Sequence, residues 1–262
     1  MKILITGHKG FIGHNMVYAL KDEHELFFFE WGDRFPDLED INLCIHLGAI
    51  SSTTETDIEK VLEQNYDFSR WLVNACNHWN VKFQYASSAS VYGLSSNFSE
   101  GSPADPRSPY AWSKYLFDRY LNKMFMEKQF KIDIQGFRYF NVYGPHEDHK
   151  DQPSPHFKFE KQAKETGVIK LFENSDQYLR DFVPVQTVID VHKAFFDIKE
   201  SGIWNLGTGV ATSFESVARS IAEKYNARIE YIPMPENIAL QYQKYTCADL
   251  TNLKQHYDPN NG

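Results

Sequence analysis

Tyr110 and Lys114 most directly suggest chemistry, because they lie four positions apart in a segment whose pattern predicts a helix. At that spacing the phenol and the ammonium share one helix face. An ammonium near a phenol favours the phenolate. We therefore predict that Lys114 lowers the pKa of Tyr110 from its ordinary value of about 10 and makes it a proton-transfer group. The pair is not diagnostic by itself, since ordinary neighbours on an amphipathic helix share this spacing.

A glycine turn near the start of the chain is the second chemical feature. Gly7, Gly10 and Gly13 lie between an apolar segment at residues 2–6, predicted to be a strand, and a helical pattern that runs to Leu20. In a dinucleotide-binding turn these glycines permit the tight turn, the close approach of a pyrophosphate and the packing of helix on strand. An ordinary glycine-rich turn is the alternative, but the position between strand and helix favours the dinucleotide interpretation.

A second predicted strand, residues 26–30, ends in Glu30, where such folds hold the ribose hydroxyls of the adenosine half. The carboxylate of Glu30 would disfavour the extra phosphate of NADP, whereas Arg34 could pair with it. The sequence therefore predicts NAD or NADP without deciding between them. A solvated loop acid is the alternative for Glu30.

The rest of the first half alternates between strand and helix patterns. Predicted strands at residues 41–47 and 81–86 run into small polar loops at residues 48–54 and 87–93, and Pro109 opens a long helix. Such alternation predicts a doubly wound parallel sheet covered on both faces, with ligands bound at the carboxyl ends of its strands.

Composition sets limits on function. The chain has 262 residues, 42% of them apolar, with a formal net charge of −8, which argues against general binding to nucleic acid or to an anionic membrane. A run of about 18 apolar residues is absent, so we expect a cytoplasmic protein. Cys44, Cys76 and Cys247 form no close pair. The histidines around Lys150 lack a compact ligand spacing, and we predict no metal site.

Three motifs together resemble a known family. Gly7-x-x-Gly10-x-x-Gly13, Ser88 in Ser-Ala-Ser-Val-Tyr-Gly, and Tyr110-x-x-x-Lys114 are arranged as in the extended short-chain dehydrogenase/reductases, which include many nucleotide-sugar epimerases and dehydratases. Within that group the chain is most similar to the ADP-glycero-manno-heptose 6-epimerases. The strings that carry this likeness lie at residues 48–55, 136–145, 149–150, 171–173, 180–183, 205–209 and 248–253.

The resemblance implies an isomerase with a Rossmann-like fold that takes hydride from a sugar carbon and returns it to the other face of the carbonyl. In the heptose enzymes a transient aldehyde forms at carbon 6, and Tyr110 and Lys150 match the two proton-transfer positions. Lys114 would also hold the nicotinamide ribose, and Ser88 would bind the reacting oxygen. From the residues alone, Lys150 lies in a charge-dense loop, where a lysine is more often a solvated surface group.

The resemblance also implies two sets of binding residues. Those expected to contact the cofactor are Gly7, Gly10, Phe11, Ile12, Gly13, Glu30, Leu47, Gly48, Ala49, Ser51, Asn65, Tyr110, Lys114 and Val142. Those expected to contact a nucleotide-diphosphate sugar are Ser88, Asn141, Phe172, Glu173, Ser175, Arg180 and Tyr242. A guanidinium such as that of Arg180 can bind diphosphate oxygens in a bidentate manner, and pairing with a nearby acid is its alternative. For Tyr242 the alternative is an aromatic residue that fills a domain interface.

Residues 1–144 are expected to form the dinucleotide-binding domain. Residues 145–262 would form mainly a smaller substrate-binding subdomain, with some segments returning to the first. Only ten residues separate Glu30 from Ile41, so we expect the sheet to be abridged by one strand after the second. The exposed edge favours a homo-oligomer.

Two alternatives to a heptose epimerase remain open. One is a 4-epimerase or reductase of the same family that acts on another nucleotide sugar. A dehydratase is disfavoured because Ala89 and Ser90 follow Ser88 where an acidic pair is usual, so we predict no loss of water. The other alternative is a non-catalytic dinucleotide-binding module, against which the intact Ser88, Tyr110 and Lys114 count.

Overall fold

The computed structural model describes residues 1–52, 55–148, 150, 152–235 and 243–260. Strands and helices alternate through the first half, as predicted. They are β1 Lys2–Thr6, α1 Phe11–Leu20, β2 Glu25–Phe29, β3 Leu43–His46, α2 Ile58–Val61, α3 Phe68–Trp79, β4 Lys82–Ser88, α4 Pro109–Met126, β5 Ile134–Tyr139 and β6 Asn141–Tyr143. A π-helical turn, Leu62–Asp67, joins α2 to α3.

The second half has shorter elements. They are α5 Pro155–Thr166, β7 Val168–Phe172, β8 Leu179–Pro184, α6 Val185–Ala194, β9 Gly202–Leu206, β10 Ala211–Ser213, α7 Phe214–Tyr225 and β11 Arg228–Ile232. Short 3-10 turns lie at Ala89–Tyr92, Ser175–Gln177 and Leu253–Gln255.

Six parallel strands form the main sheet in the order β2-β1-β3-β4-β5-β9. The sheet ends at β2, since residues 30–42 contain neither helix nor strand and β3 pairs on the other side of β1. The predicted loss of a strand after the second is confirmed. The strand predicted over residues 81–86 is longer than expected, because β4 continues to Ser88 and keeps that residue in register with Tyr139 of β5.

The main sheet is buried on both faces, which explains why its strands are almost continuously apolar. Successive residues of β1 enter different cores. Leu4 packs in a cluster with residues of α3 and α4, while Ile3 and Ile5 pack with Met16 of α1 and Ile189 of α6. The doubly wound fold predicted from the sequence is therefore confirmed.

A smaller unit has its own apolar core. The parallel strands β7 and β11 pair over their whole length and pack against α5 and α7. Its buried residues include Phe159, Ile169, Leu171 and Val217. Between the segments of this unit the chain returns to the main sheet, where β9 pairs with β5.

In the described ranges of the chain, no helix is long and apolar enough to cross a bilayer.

Candidate active site

The glycine turn joins β1 to α1 with little room for side chains. Gly7 has a φ of +72°, and a Cβ there would lie 2.5 Å from the backbone of Gly48. A Cβ on Gly13 would lie 2.0 Å from the carbonyl oxygen of Gly7. Gly10 is the N-cap of α1 and provides no side-chain cap, so the amides at Phe11 and Ile12 remain available to an anion. The turn fits the pyrophosphate of a dinucleotide.

A cleft of about 220 Å³ opens beside this turn, at the carboxyl ends of β1, β2 and β3. Four of the predicted cofactor residues line it, namely Gly7, Glu30, Gly48 and Ala49. Six further lining residues were not predicted from the sequence, namely Thr6, Phe29, Trp31, Ile50, Gln64 and Phe68. No dinucleotide-binding motif specifies aromatic residues at these positions, so the sequence did not indicate them.

Glu30 is held in place at the mouth of the cleft. Its Oε1 accepts a hydrogen bond from the backbone amide of Lys9 at 2.7 Å and lies 3.1 Å from Nδ1 of His8. The carboxylate is therefore tied to the glycine turn. This geometry fits an acceptor for ribose hydroxyls.

Asn65 has a different role from the expected cofactor contact. It is buried in the π-helical turn, and its side-chain amide donates to the carbonyl of Ile50 at 2.9 Å and to Oγ of Ser113 at 3.0 Å. Its Oδ1 accepts from the amide of Ile50 at 2.8 Å. Both amide hydrogens are thus used within the protein, so Asn65 positions the loop after β3 instead of facing the cleft.

The other residues expected to contact the cofactor differ in how deeply they are buried. Leu47, Ile12 and Val142 are partly buried against the apolar clusters, and Phe11 is buried. Ser51 is exposed on the loop after β3. These four apolar side chains therefore pack around the glycine turn, and none of them lines the cleft itself.

A row of hydrogen bonds, called here the polar ladder, fixes helix α4 on strand β4. Ser108 caps the helix and Pro109 opens it. Lys114 Nζ donates to the carbonyl of Ala86 at 2.8 Å, and the hydroxyl of Ser88 lies close enough to that of Tyr110 to lower the pKa of the phenol. The structure therefore brings together Ser88, Tyr110 and Lys114, as the sequence predicted.

Asp118, one turn beyond Lys114, completes the ladder. Its carboxylate accepts from the hydroxyl of Tyr85 at 2.8 Å, from Oγ of Ser87 at 3.0 Å and from Nε of Arg138 at 2.9 Å. Asp118 and Arg138 are buried, so this ion pair is fully desolvated and satisfied.

The sequence predicts a lowered pKa for Tyr110, whereas in the protein by itself the pKa of Tyr110 is raised. Burial raises the pKa of Tyr110, partly offset by the hydrogen bond from Ser88, and the charge of Asp118 adds to the rise. Burial lowers the pKa of Lys114 to about 8, against the opposing effect of Asp118. The Lys114 Nζ lies 5.9 Å from the centroid of the Tyr110 ring and donates to Ala86, so its charge is directed at the strand. Tyr110 is thus a protonated phenol near neutral pH.

Lys150 lies close to the start of α1. Its Nζ is 4.5 Å from the centroid of the Phe11 ring and 3.3 Å from Oε2 of Glu147. Glu147 is buried and also accepts from the amide of Gly144 at 3.1 Å and from the amide of Ser154 at 2.6 Å. Glu147 was not among the predicted site residues, and its only signal in the sequence is its place three residues before Lys150.

The predicted substrate residues lie in the three-stranded sheet β10-β8-β6 and beside it. Asn141 of β6 is exposed and pairs with Phe182, two residues beyond Arg180 in β8. Arg180 is buried, with Nη1 donating to the carbonyl of Leu179 at 2.8 Å and its guanidinium 5.5 Å from the centroid of the Phe214 ring.

Three further substrate positions are close to one another. Phe172 ends β7, Glu173 follows it exposed to solvent, and the buried hydroxyl of Ser175 donates to the carbonyl of Phe172. Ser175 is therefore occupied by its own backbone. Tyr242 lies outside the described residues. Within the part of the chain that is described, no group of three histidine, cysteine, aspartate or glutamate residues could hold a metal ion.

A dinucleotide cleft at the switch point of a doubly wound sheet, next to a serine, a tyrosine and a lysine, defines an enzyme that uses a nicotinamide dinucleotide. Residues 3–207 match the profile described as Epimerase: NAD dependent epimerase/dehydratase family. The chain is 37% identical, over 287 residues, to ADP-L-glycero-D-manno-heptose-6-epimerase of Brachyspira hyodysenteriae (strain ATCC 49526 / WA1), with 96% of this chain and 90% of that protein covered. The chain therefore belongs to the NAD-dependent epimerase/dehydratase family.

Solved structures agree on the fold. The Helicobacter pylori ADP-L-glycero-D-manno-heptose-6-epimerase superposes with a TM-score of 0.85 at 24% identity, covering 100% of this chain and 93% of that one. UDP-N-acetylglucosamine 4-epimerase from Methanobrevibacter ruminantium M1, in complex with UDP-N-acetylmuramic acid, gives a TM-score of 0.85 at 23% identity, covering 97% and 90%. At these identities the likeness establishes the fold alone.

Proposed function

We propose that this chain is a nucleotide-sugar epimerase that inverts carbon 6 of ADP-glycero-manno-heptose. The observation that carries the proposal is that helix α4, which holds Tyr110 and Lys114, is fixed to the carboxyl end of β4, where Ser88 lies, by the 2.8 Å hydrogen bond from Lys114 Nζ to the carbonyl of Ala86. The 37% identity to a heptose 6-epimerase supports the choice of substrate.

In the proposed reaction the C–H and O–H bonds at carbon 6 break together. When bound, an oxidised nicotinamide ring supplies the hydride acceptor and a positive charge beside the site. Ser88 would hold the reacting oxygen, and Tyr110 would be the base: the positive charge of the nicotinamide and the ammonium of Lys114 would favour its phenolate, which would accept the hydroxyl proton as hydride leaves carbon 6. The aldehyde would then rotate, hydride would return to its other face, and the ammonium of Lys150 would give a proton to the oxygen. Tyr110 would lose its proton to solvent and Lys150 would regain one from solvent. The formula of the sugar is unchanged.

Lys150 is the group that we propose for the second orientation of the aldehyde. Its ammonium lies above the Phe11 ring, at the end of α1 that faces the dinucleotide, and Glu147 holds it from a buried position. An ammonium there can donate a proton to an oxygen that Tyr110 does not reach.

Lys114 Nζ donates one hydrogen bond to the carbonyl of Ala86 and, when protonated below its pKa of about 8, has further N–H donors that would hold the nicotinamide ribose. Arg180, which lies on β8 two residues before the partner of Asn141, is our candidate for the diphosphate of the sugar nucleotide.

Glu30 makes NAD the preferred cofactor in this proposal. Its carboxylate lines the cleft and is fixed by the amide of Lys9, so a ribose 2′-phosphate there would meet a negative charge. Arg34 is exposed and does not line the cleft, which weakens the case for pairing with that phosphate.

The test is to incubate the purified protein with ADP-glycero-manno-heptose and to follow the configuration at carbon 6 by proton NMR. Interconversion of the two epimers without loss of water supports the proposal. Tyr110→Phe keeps the ring and should lower turnover about 100-fold to 10,000-fold while cofactor binding is kept. An unaffected rate in Tyr110→Phe would show that the proton passes elsewhere.

Another nucleotide sugar is the second candidate substrate, and 4-epimerases share this fold. A bound cofactor with no heptose conversion would favour it. Neither cofactor nor conversion would favour the non-catalytic module. The cytoplasmic location and the homo-oligomeric state expected from the sequence stay predictions.

A further inference from the structure

An aromatic groove lies next to the cofactor cleft, at the edge where the sheet stops. Its volume is about 450 Å³, and its rings are Phe29, Trp31, Phe35, Phe68 and Trp71. Trp31 and Trp71 are 49% and 50% exposed, so two indole rings of one groove are open to solvent together. The groove therefore offers apolar ring surface to a ligand.

The rings support one another in a fixed arrangement. Phe68 stacks on Phe29 with centroids 5.2 Å apart, and Trp31 meets Phe68 edge-on at 5.6 Å. Phe35 meets Trp71 edge-on at 4.8 Å. Aromatic pairs at these separations are mutually attractive, so Trp31 is held in place although half of its surface is open to solvent.

The position of the groove follows from the short connection between β2 and β3. Residues 30–42 form no helix or strand, so no further strand covers the edge of β2. Trp31 follows Glu30 directly, just beyond the end of the edge strand β2, and its side chain lines both the cleft and the groove.

The cleft and the groove are continuous, because Phe29, Trp31 and Phe68 line both. Along this shared surface the chemical groups follow the order of the parts of a dinucleotide: phosphate, ribose and base. The glycine turn offers amides for phosphate, Glu30 offers a carboxylate for ribose hydroxyls, and the rings lie beyond Glu30. Gln64 lines the cleft and has an amide that can meet the edge of a base.

We propose that Trp31, supported by Phe68, is the stacking platform for the adenine base of the cofactor and that it replaces the wall that the abridged sheet lacks. A planar base has two apolar faces and a polar edge, which match the Trp31 ring and the Gln64 amide. This inference rests on the assignment of a nicotinamide dinucleotide to the cleft and is independent of which sugar is the substrate.

The test compares three ligands by isothermal titration calorimetry on the full chain, namely NAD, ADP-ribose and nicotinamide mononucleotide. Trp31→Ala should weaken NAD and ADP-ribose about tenfold or more, the effect expected when a ring that stacks on a base is removed. Nicotinamide mononucleotide has no adenine, so its affinity should stay unchanged. Trp31→Phe should keep most of the affinity because it keeps a ring.

Trp79 supplies a matched control. It is a similarly exposed tryptophan, 43% accessible, and it lies at the end of α3 opposite to Phe68. Trp79→Ala should bind all three ligands as the wild type does. Tryptophan fluorescence gives a second readout that does not depend on truncating the ring. NAD should quench emission in Trp79→Phe as in the wild type, and the quench should be smaller in Trp31→Phe, where only Trp71 remains as a tryptophan of the groove.

Equal NAD affinity in Trp31→Ala and wild type would overturn the inference. A matching loss for nicotinamide mononucleotide would overturn it too, because the substitution would then act on the glycine turn. A change of oligomeric state without a change in NAD affinity would show that the groove is covered by a second copy of the chain. A wild-type protein that binds NAD but does not convert heptose leaves the inference standing and removes the proposed function.

Discussion

Acid should destabilise this protein through His46 and His192, which are buried as neutral rings. Burial lowers the pKa of each from 6.5 to about 3, and the charge of Lys114 adds to the effect at His46. His46 is hydrogen-bonded to Thr6 Oγ1 at 2.6 Å and to Ser69 Oγ at 2.8 Å. In the unfolded chain each ring binds a proton near its ordinary pKa, so between about pH 6.5 and pH 3 the unfolded state holds more protons and stability falls as the pH falls.

The loss of unfolding free energy at pH 5 depends almost entirely on the histidine pKa in the unfolded state. The ordinary pKa of 6.5 lies about 1.5 pH units higher, and one unit is worth about 1.36 kcal/mol, so each histidine costs about 2 kcal/mol of unfolding free energy relative to pH 8. A folded pKa anywhere below about 4 gives the same figure. For a chain of this size, the melting temperature should fall by about 4 to 8 °C per histidine.

The assay is thermal and urea unfolding of the wild type, His46→Gln and His192→Gln at pH 8 and pH 5. Carboxylates also titrate in this range, but they contribute equally to the wild type and the variants. The variant should therefore lose about 2 kcal/mol less than the wild type between the two pH values. The control is His78→Gln, because His78 is exposed. If His46→Gln and His192→Gln keep the pH dependence of the wild type, neither ring is the acid-labile group and the argument from burial fails.

Two further substitutions test residues that flank the cofactor. Glu147→Gln removes the charge that holds Lys150 at 3.3 Å, so turnover should fall about 10-fold to 100-fold with NAD affinity nearly unchanged, whereas Asp148→Asn, an exposed neighbour, should behave as the wild type. Full activity in Glu147→Gln would separate Lys150 from catalysis. Glu30→Ala should lower the preference for NAD over NADP at least about tenfold in binding titrations, with Glu25→Ala, at the other end of β2, as the control. An unchanged preference would place the ribose selectivity elsewhere.

The sheet could be predicted from the sequence because its strands are apolar on both faces. Ile3, Leu4 and Ile5 give one uninterrupted apolar run, and the structure distributes them between two cores. The start of α4 was also predictable, since Ser108 and Pro109 form a cap and a first turn whose geometry is local.

Properties that depend on packing could not be predicted. Asn65 lies at a position where a cofactor contact was expected, yet a π-helical turn rotates it toward Ile50 and Ser113. The sign of the Tyr110 pKa depends on burial and on Asp118, neither of which the four-residue spacing reports. Glu147 reads in the sequence as one charge in a polar loop, and only the fold buries it beneath Lys150.

The polar ladder between β4 and α4 explains how an abridged sheet keeps a well-positioned catalytic end. The carbonyl of Ala86 accepts a hydrogen bond from Lys114 Nζ, and the hydroxyls of Tyr85 and Ser87 both donate to the carboxylate of Asp118. The shortened edge lies at β2, whereas β4 is held on both sides by β3 and β5. Because the helix that carries Tyr110 is fixed to an interior strand, the loss of an outer strand alters the wall of the cleft without moving Tyr110 and Lys114, the proposed catalytic residues.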